Sequence, residues 1–182
     1  NVGAGTGETV GKILGASQSM KTGIGTASED LGGGLFVGAL MAVNAFGDVL
    51  NPLTREIIAG TRTLKKGPIK IGKSEFFADT QYVMKTFAGK TVLDIASKAN
   101  TVIGVVATNA KLTKEETNKV AQMAQNGIAL TIRPAHTMFD GDTVFALATN
   151  KKHADVNLIG TYAAEVVARA IVNAVIYAAS AA

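Results

Sequence analysis

At 182 residues, 47% apolar and 18% charged, the chain is a globular sequence long enough to bury one substantial core, which excludes a disordered class. Cysteine is absent, so disulfides and thiolate metal sites are excluded, and a reducing, cytoplasmic compartment is the expected setting. The net charge of +4 is modest, and the basic run Arg62, Lys65, Lys66, Lys70, Lys73, Lys85 and Lys90 lacks a known nucleic-acid reading motif. A solvated loop is its expected home.

Taken in chain order, the sequence opens on NVGAGTG, with no initiator Met and neither the basic nor the apolar stretch of a signal peptide. It begins inside a glycine-rich loop, from which a missing native N-terminal segment is expected. Glycine-rich loops are predicted at 1–8 and 22–34, with a helix from about Leu35 to Ala45. Asn51-Pro52 marks a turn, strand-like residues run from Glu56 to Thr63, and a helix follows the basic loop from Ser74 to Phe87. Thr101 to Ala107 reads as a buried strand. Thr113 and Glu116 form a capping box, and Asn126-Gly127 is expected to close the helix it opens. Ile128 to Arg133 and Thr143 to Thr149 read as strands flanking PAHTMFDGD, and a long helix ends the chain. Glu165 and Arg169 interrupt that apolar segment at i, i+4 spacing, which argues for a buried helix over a membrane span. The expected organisation is one domain, 1–182, of mixed α and β class with helices layered on sheet.

Residues 67 to 74, GPIKIGKS, fit the phosphate-loop pattern letter for letter. Such a loop works by curling its backbone N–H groups around phosphate, which demands a pliable interior. Pro68 removes a donor, Ile69 and Ile71 resist the required torsions, and TVLD at Asp94 is a poor second motif, so the match is read as false. GAGTGETVGK misses both nucleotide-loop spacings and reads as a flexible loop. No metal site is expected: only His136 and His153 exist, and Asp140-Gly141-Asp142 lacks the remaining ligands of a calcium loop. That tripeptide is either a hairpin turn or a pair of carboxylates, at i and i+2, able to orient a nearby amine or hydroxyl.

Asn100-Thr101, directly before the strand, is either an ordinary strand entry or a processing site. If Thr101 attacks the Asn100 carbonyl, the peptide converts to an ester that water can hydrolyse. Thr101 then becomes an N-terminus carrying a hydroxyl and an α-amine that titrates near ~7.7–8.0, a nucleophile with its own base.

NTVIGVVATNAKLTKEE, HTMFDGDTVFALAT, NVGAGTG, KTGIGTAS and AVNAFGD together resemble the S58 (P1) peptidase family of self-processing aminopeptidases, β-peptidyl aminopeptidases and nylon-oligomer hydrolases. The resemblance implies an α/β fold, a four-layer αββα sandwich of the N-terminal nucleophile hydrolase type. It implies cleavage between Asn100 and Thr101 into 1–100 and 101–182, with Thr101 as nucleophile. Asp140 and Asp142 match the family's acidic pair, in the form of its nylon-hydrolase branch. Lys21 matches a basic residue near the nucleophile, and Asn44 an amide that stabilises the oxyanion. No cofactor, nucleic acid or membrane partner is implied. The expected substrate is a small peptide or oligoamide, and the expected assembly a homo-oligomer, a tetramer or larger. Two functions of other classes compete: a phosphate-loop nucleotide-binding protein using Gly67 to Ser74, and a non-catalytic assembly protein.

Overall fold

The computed structural model describes residues 3–66, 69–86 and 100–178. The N-terminal region pairs two short strands, β1 (Thr9–Val10) and β2 (Met20–Lys21). The long hairpin β3 (Ile24–Asp30) and β4 (Phe36–Asn44) follows, then β5 (Asp48–Leu50) and β6 (Ile57–Ala59). A small hairpin of β7 (Leu64–Lys66) and β8 (Ile69–Ile71) precedes a five-residue helix, α1 (Thr80–Met84). The second half is β9 (Thr101–Ala110), α2 (Lys114–Thr131), β10 (Ile132–Arg133), β11 (Thr143–Lys152) and α3 (Val156–Ile176).

The main sheet has the order β11-β9-β4-β3, and only the β11–β9 pair is parallel. Parallel neighbours need a crossover, and α2 supplies it between β9 and β11. The crossover starts where the sequence says it should: Thr113 and Glu116 exchange the two hydrogen bonds of a capping box. One face of the sheet is buried under α2 and α3. Val37, Met41, Val43, Val102 and Val106 meet Val166, Val167 and Ile171 of α3 and Val120 and Ile128 of α2 there. Each such side chain contributes roughly 1.5–3 kcal/mol by leaving water, which makes this layer the dominant source of stability. Strand alternation puts Thr101, Ile103 and Val105 of β9 on the opposite face, with Leu40 and Asn44 of β4 beside them. Phe145 and Leu147 extend that face on β11, and Leu40, Ile103, Phe145 and Leu147 are exposed.

Five expectations change. The segment expected as a helix from Leu35 to Ala45 is β4: Val37, Ala39, Met41 and Val43 point to the helix-covered core at a period of two. The glycine-rich stretch 22–34 holds β3, because Gly25 lets α3 approach; a Cβ there would lie 1.9 Å from the Ala170 carbonyl oxygen. Gly127 does not close α2, which continues to Thr131. It too is a contact residue, since a Cβ would come 2.4 Å from the Ala164 carbonyl oxygen of α3. The strand expected from Ile128 to Arg133 shrinks to Ile132–Arg133, because Ile128 faces the helix-covered core. α3 is long and apolar enough to cross a membrane by length and composition, and half of its apolar window is buried in the protein. Arg169 pairs with Glu29 of β3 rather than along the helix. The expected helix from Ser74 to Phe87 is α1 alone, and Phe87, Lys90 and Asp94 lie outside the described residues.

Candidate active site

β9 carries Thr101 at its first position, and β4 carries Asn44 at its last. Antiparallel register makes the two direct neighbours, on the face away from the helices. The segment leading into β11 closes the third side, where Asn100 and Asp140 form an isolated parallel bridge. Three stretches separated by many residues thus meet at the mouth of one strand. Asn100 is buried, and its side-chain amide donates to the Phe139 carbonyl at 3.1 Å. Its own carbonyl oxygen accepts from the Thr101 hydroxyl at 2.6 Å and from the Gly141 N–H at 2.8 Å.

The two acids are held by main-chain donors around this dipeptide. Asp142 accepts from the N–H of Val102 at 2.9 Å and from that of His136 at 3.3 Å, with His136 Nδ1 3.0 Å from its second oxygen. Burial raises the Asp142 carboxyl above the ordinary range, and the charge of Asp140 adds to that; the Val102 N–H opposes it. Asp140 accepts from the Phe46 N–H at 3.3 Å and from the Thr137 hydroxyl at 2.6 Å. The tripeptide is no hairpin turn, because β10 before it and β11 after it belong to different sheets.

Asn44 is fixed by Lys12, a residue with no motif to mark it. Lys12 Nζ donates to Asn44 Oδ1 at 2.6 Å and to its carbonyl oxygen at 3.2 Å, while the Thr9 N–H also donates to Oδ1 at 3.3 Å. Burial lowers the Lys12 ammonium below its ordinary value, and the charges of Asp140 and Glu8 act against that fall. Glu8 accepts from the Val43 N–H at 3.0 Å, and its carboxyl is raised by burial. Lys12 and Glu8 sit in GAGTGETVGK, read above only as a flexible loop. A lysine in a glycine-rich stretch gives no local sign of the amide it will meet. Lys21, the basic residue singled out from the sequence, donates instead to the carbonyls of Gly5 and Thr6, bracing the same N-terminal loop. Its charge is felt at Glu8.

The phosphate-loop segment has another role. Gly67 and Pro68 lie outside the described residues, but Ile69–Ile71 is a strand of the β7–β8 hairpin. No helix starts at Lys73 or Ser74; α1 begins at Thr80. Lys73 pairs with Asp79 at 3.5 Å, and Lys65 and Lys70 both pair with Glu75, an exposed cluster that holds the Glu75 carboxyl at about 2. A phosphate cradle needs a helix N-terminus behind the loop, and this hairpin has none. Among the described residues no group of three or more His, Asp or Glu could hold a metal ion.

The description "Peptidase family S58" matches residues 1–182 as a family model. The chain belongs to peptidase family S58. An uncharacterized aminopeptidase of Mycobacterium leprae is 38% identical over 195 residues, 98% of this chain and 49% of the relative. A 6-aminohexanoate-oligomer endohydrolase of a Kocuria species is 33% identical over 57 residues, 31% of this chain and 16% of the relative. Among solved structures, the L-aminopeptidase D-Ala-esterase/amidase of Ochrobactrum anthropi aligns at a TM-score of 0.55 with 19% identity, covering 93% of this chain and 45% of that one. That protein is described as a variant of the N-terminal nucleophile hydrolase fold, and the S58 chain shares this fold. The chain spans about half the length of the curated S58 relatives it matches. Its described residues supply the main sheet and the helix layer on one of its faces.

Proposed function

We propose that this S58 chain forms the catalytic core of a self-processing amidohydrolase whose nucleophile is Thr101. The observation that carries the reading is the convergence of Thr101, Asn44 and the Asp140–Asp142 segment on one strand mouth, with the Thr101 hydroxyl already touching the carbonyl beside it. Cleavage between Asn100 and Thr101 frees an α-amine one residue from Val102, whose N–H is held by Asp142. Asp140 and Asp142 orient that amine, which takes the hydroxyl proton as Thr101 Oγ attacks a substrate carbonyl. Asn44 flanks the developing oxyanion, Lys12 fixes Asn44, and Lys21 braces the N-terminal loop that carries Lys12. The acyl-enzyme on Thr101 is then hydrolysed by water, releasing an acid after the amine has left.

The substrate class is peptides with a free amino terminus or linear oligomers of ω-amino acids, for which the aminopeptidase and 6-aminohexanoate-oligomer endohydrolase relatives give support. The working assembly is a homo-oligomer, a tetramer or larger. Mass measurement under denaturing conditions tests the reading: two polypeptides are expected, one ending at Asn100 and one beginning Thr-Val-Ile-Gly. Thr101→Ala should stay one chain and hydrolyse neither peptide nor oligoamide. An uncut chain with full amidase activity would overturn the proposal, since an internal Thr101 has no free amine.

A further inference from the structure

Resting on the reading of Thr101 as nucleophile, we infer that the main-chain N–H of Gly141 is the oxyanion donor for self-cleavage at Asn100-Thr101. The segment from Phe139 to Gly141 grips Asn100 twice: the Phe139 carbonyl takes its side-chain amide, and the Gly141 N–H donates to its carbonyl at 2.8 Å. Two fixed points on one buried residue hold its carbonyl still. The oxygen it holds is the one that takes up negative charge when Thr101 Oγ attacks its carbon. The identity of residue 141 fits the same task. A Cβ there would lie 3.0 Å from Thr101 Oγ and 3.7 Å from the Asn100 oxygen, so a side chain would crowd the attacking atom. The two acids flanking Gly141 are pinned by Thr137, Phe46, His136 and Val102, so the donor between them is aimed before any reaction begins.

Thr101 Oγ forms a bond to the Asn100 carbonyl carbon, and the carbonyl π pair moves onto the oxygen held by Gly141. The C–N bond then breaks, the proton lost from Oγ ends on the departing Thr101 nitrogen, and an ester joins Asn100 to Thr101 Oγ. Water hydrolyses that ester to the Asn100 carboxyl and the Thr101 hydroxyl. As a plain ladder bond the Gly141 contact would hold the strand mouth together and leave the rate unaffected.

Replacing Gly141 by glycolic acid in the full chain turns its N–H into an ester oxygen and leaves the shape. With the fold retained by circular dichroism, conversion of the 182-residue chain into two should slow by about 10²- to 10³-fold, the loss of one oxyanion donor. Conversion within threefold of the normal rate would overturn the inference while leaving Thr101 as nucleophile. If the unaltered chain never converts, the nucleophile reading falls and this inference falls with it. Should the ester chain not fold, amide hydrogen exchange in Thr101→Ala decides: Gly141 is expected to be strongly protected, and exchange at the rate of an exposed loop overturns the assignment.

Discussion

Burial raises the Asp142 carboxyl, yet its two oxygens accept main-chain N–H groups on either side of the candidate site. The sign for stability follows from the raised folded value. The folded protein holds this proton more tightly than the unfolded chain, so the contribution is complete below the ordinary value near ~3.9 and is lost as pH rises through the raised one. Asp142→Asn removes that slope. The unfolding free energy of the variant, measured by urea titration at several pH values, should therefore gain on the wild type as pH rises across this window. Amidase activity should fall by at least about 10²-fold, because the amine loses its orienting partner. A buried carboxylate that costs stability at neutral pH is what a functional site is expected to retain. Lys12 and Lys21 separate at the same scale. Lys12→Met removes the cation on Asn44 Oδ1 and should lower kcat by about 10²-fold, in the range for disturbing one oxyanion group. Lys21→Met only loosens the Gly5 and Thr6 carbonyls, and a loss below about tenfold is expected. Equal losses in steady-state kinetics would contradict this division.

At the scale of elements, glycines decide which helix meets which strand. Gly127 lies inside α2, where Ala would be favoured by about 1 kcal/mol on intrinsic propensity. Packing opposes it: a Cβ would sit 2.4 Å from the Ala164 carbonyl oxygen and 2.7 Å from Val167 Cβ. Neither neighbour is the end of a flexible chain, so overpacking at about 1–3 kcal/mol wins. Gly127→Ala is expected to lower the unfolding midpoint, and an increase would mean that α2 and α3 can part at no cost. Elements were legible where a signal was local. The capping box at Thr113 and Glu116 predicts the start of α2, and the apolar run after Thr101 predicts β9. The strand at Phe36–Asn44 was not legible, because Phe36 and Leu40 on one face and Val37, Met41 and Val43 on the other leave no polar side to reveal the period.

For the whole molecule, the proposed cut falls at the edge of a ladder that does not depend on the broken bond. β9 pairs with β4 from Thr101 opposite Asn44 to Thr108 opposite Val37. α3 is tied to β3 as well, through Arg169 to Glu29 and Asn173 to the Thr26 carbonyl. The fragments 1–100 and 101–182 share one buried core and should comigrate in native size exclusion, separating only in denaturant. Dissociation of the cut fragments under native conditions would mean that the peptide bond, not the core, holds the layers together.

The sequence by itself determined the α/β class, the helix that opens at the Thr113 cap, the strand that begins at Thr101, and the dipeptide and acidic pair to suspect. Those signals are local: a capping box needs four residues, a strand needs an apolar run, and a motif needs only its own letters. Tertiary structure decided how they meet. That Lys12 rather than Lys21 reaches Asn44, and that Gly141 places its N–H on the Asn100 carbonyl, depends on strands far apart in the chain. Their approach is set by the register of β4 on β9 and the crossover through α2, which no short stretch encodes.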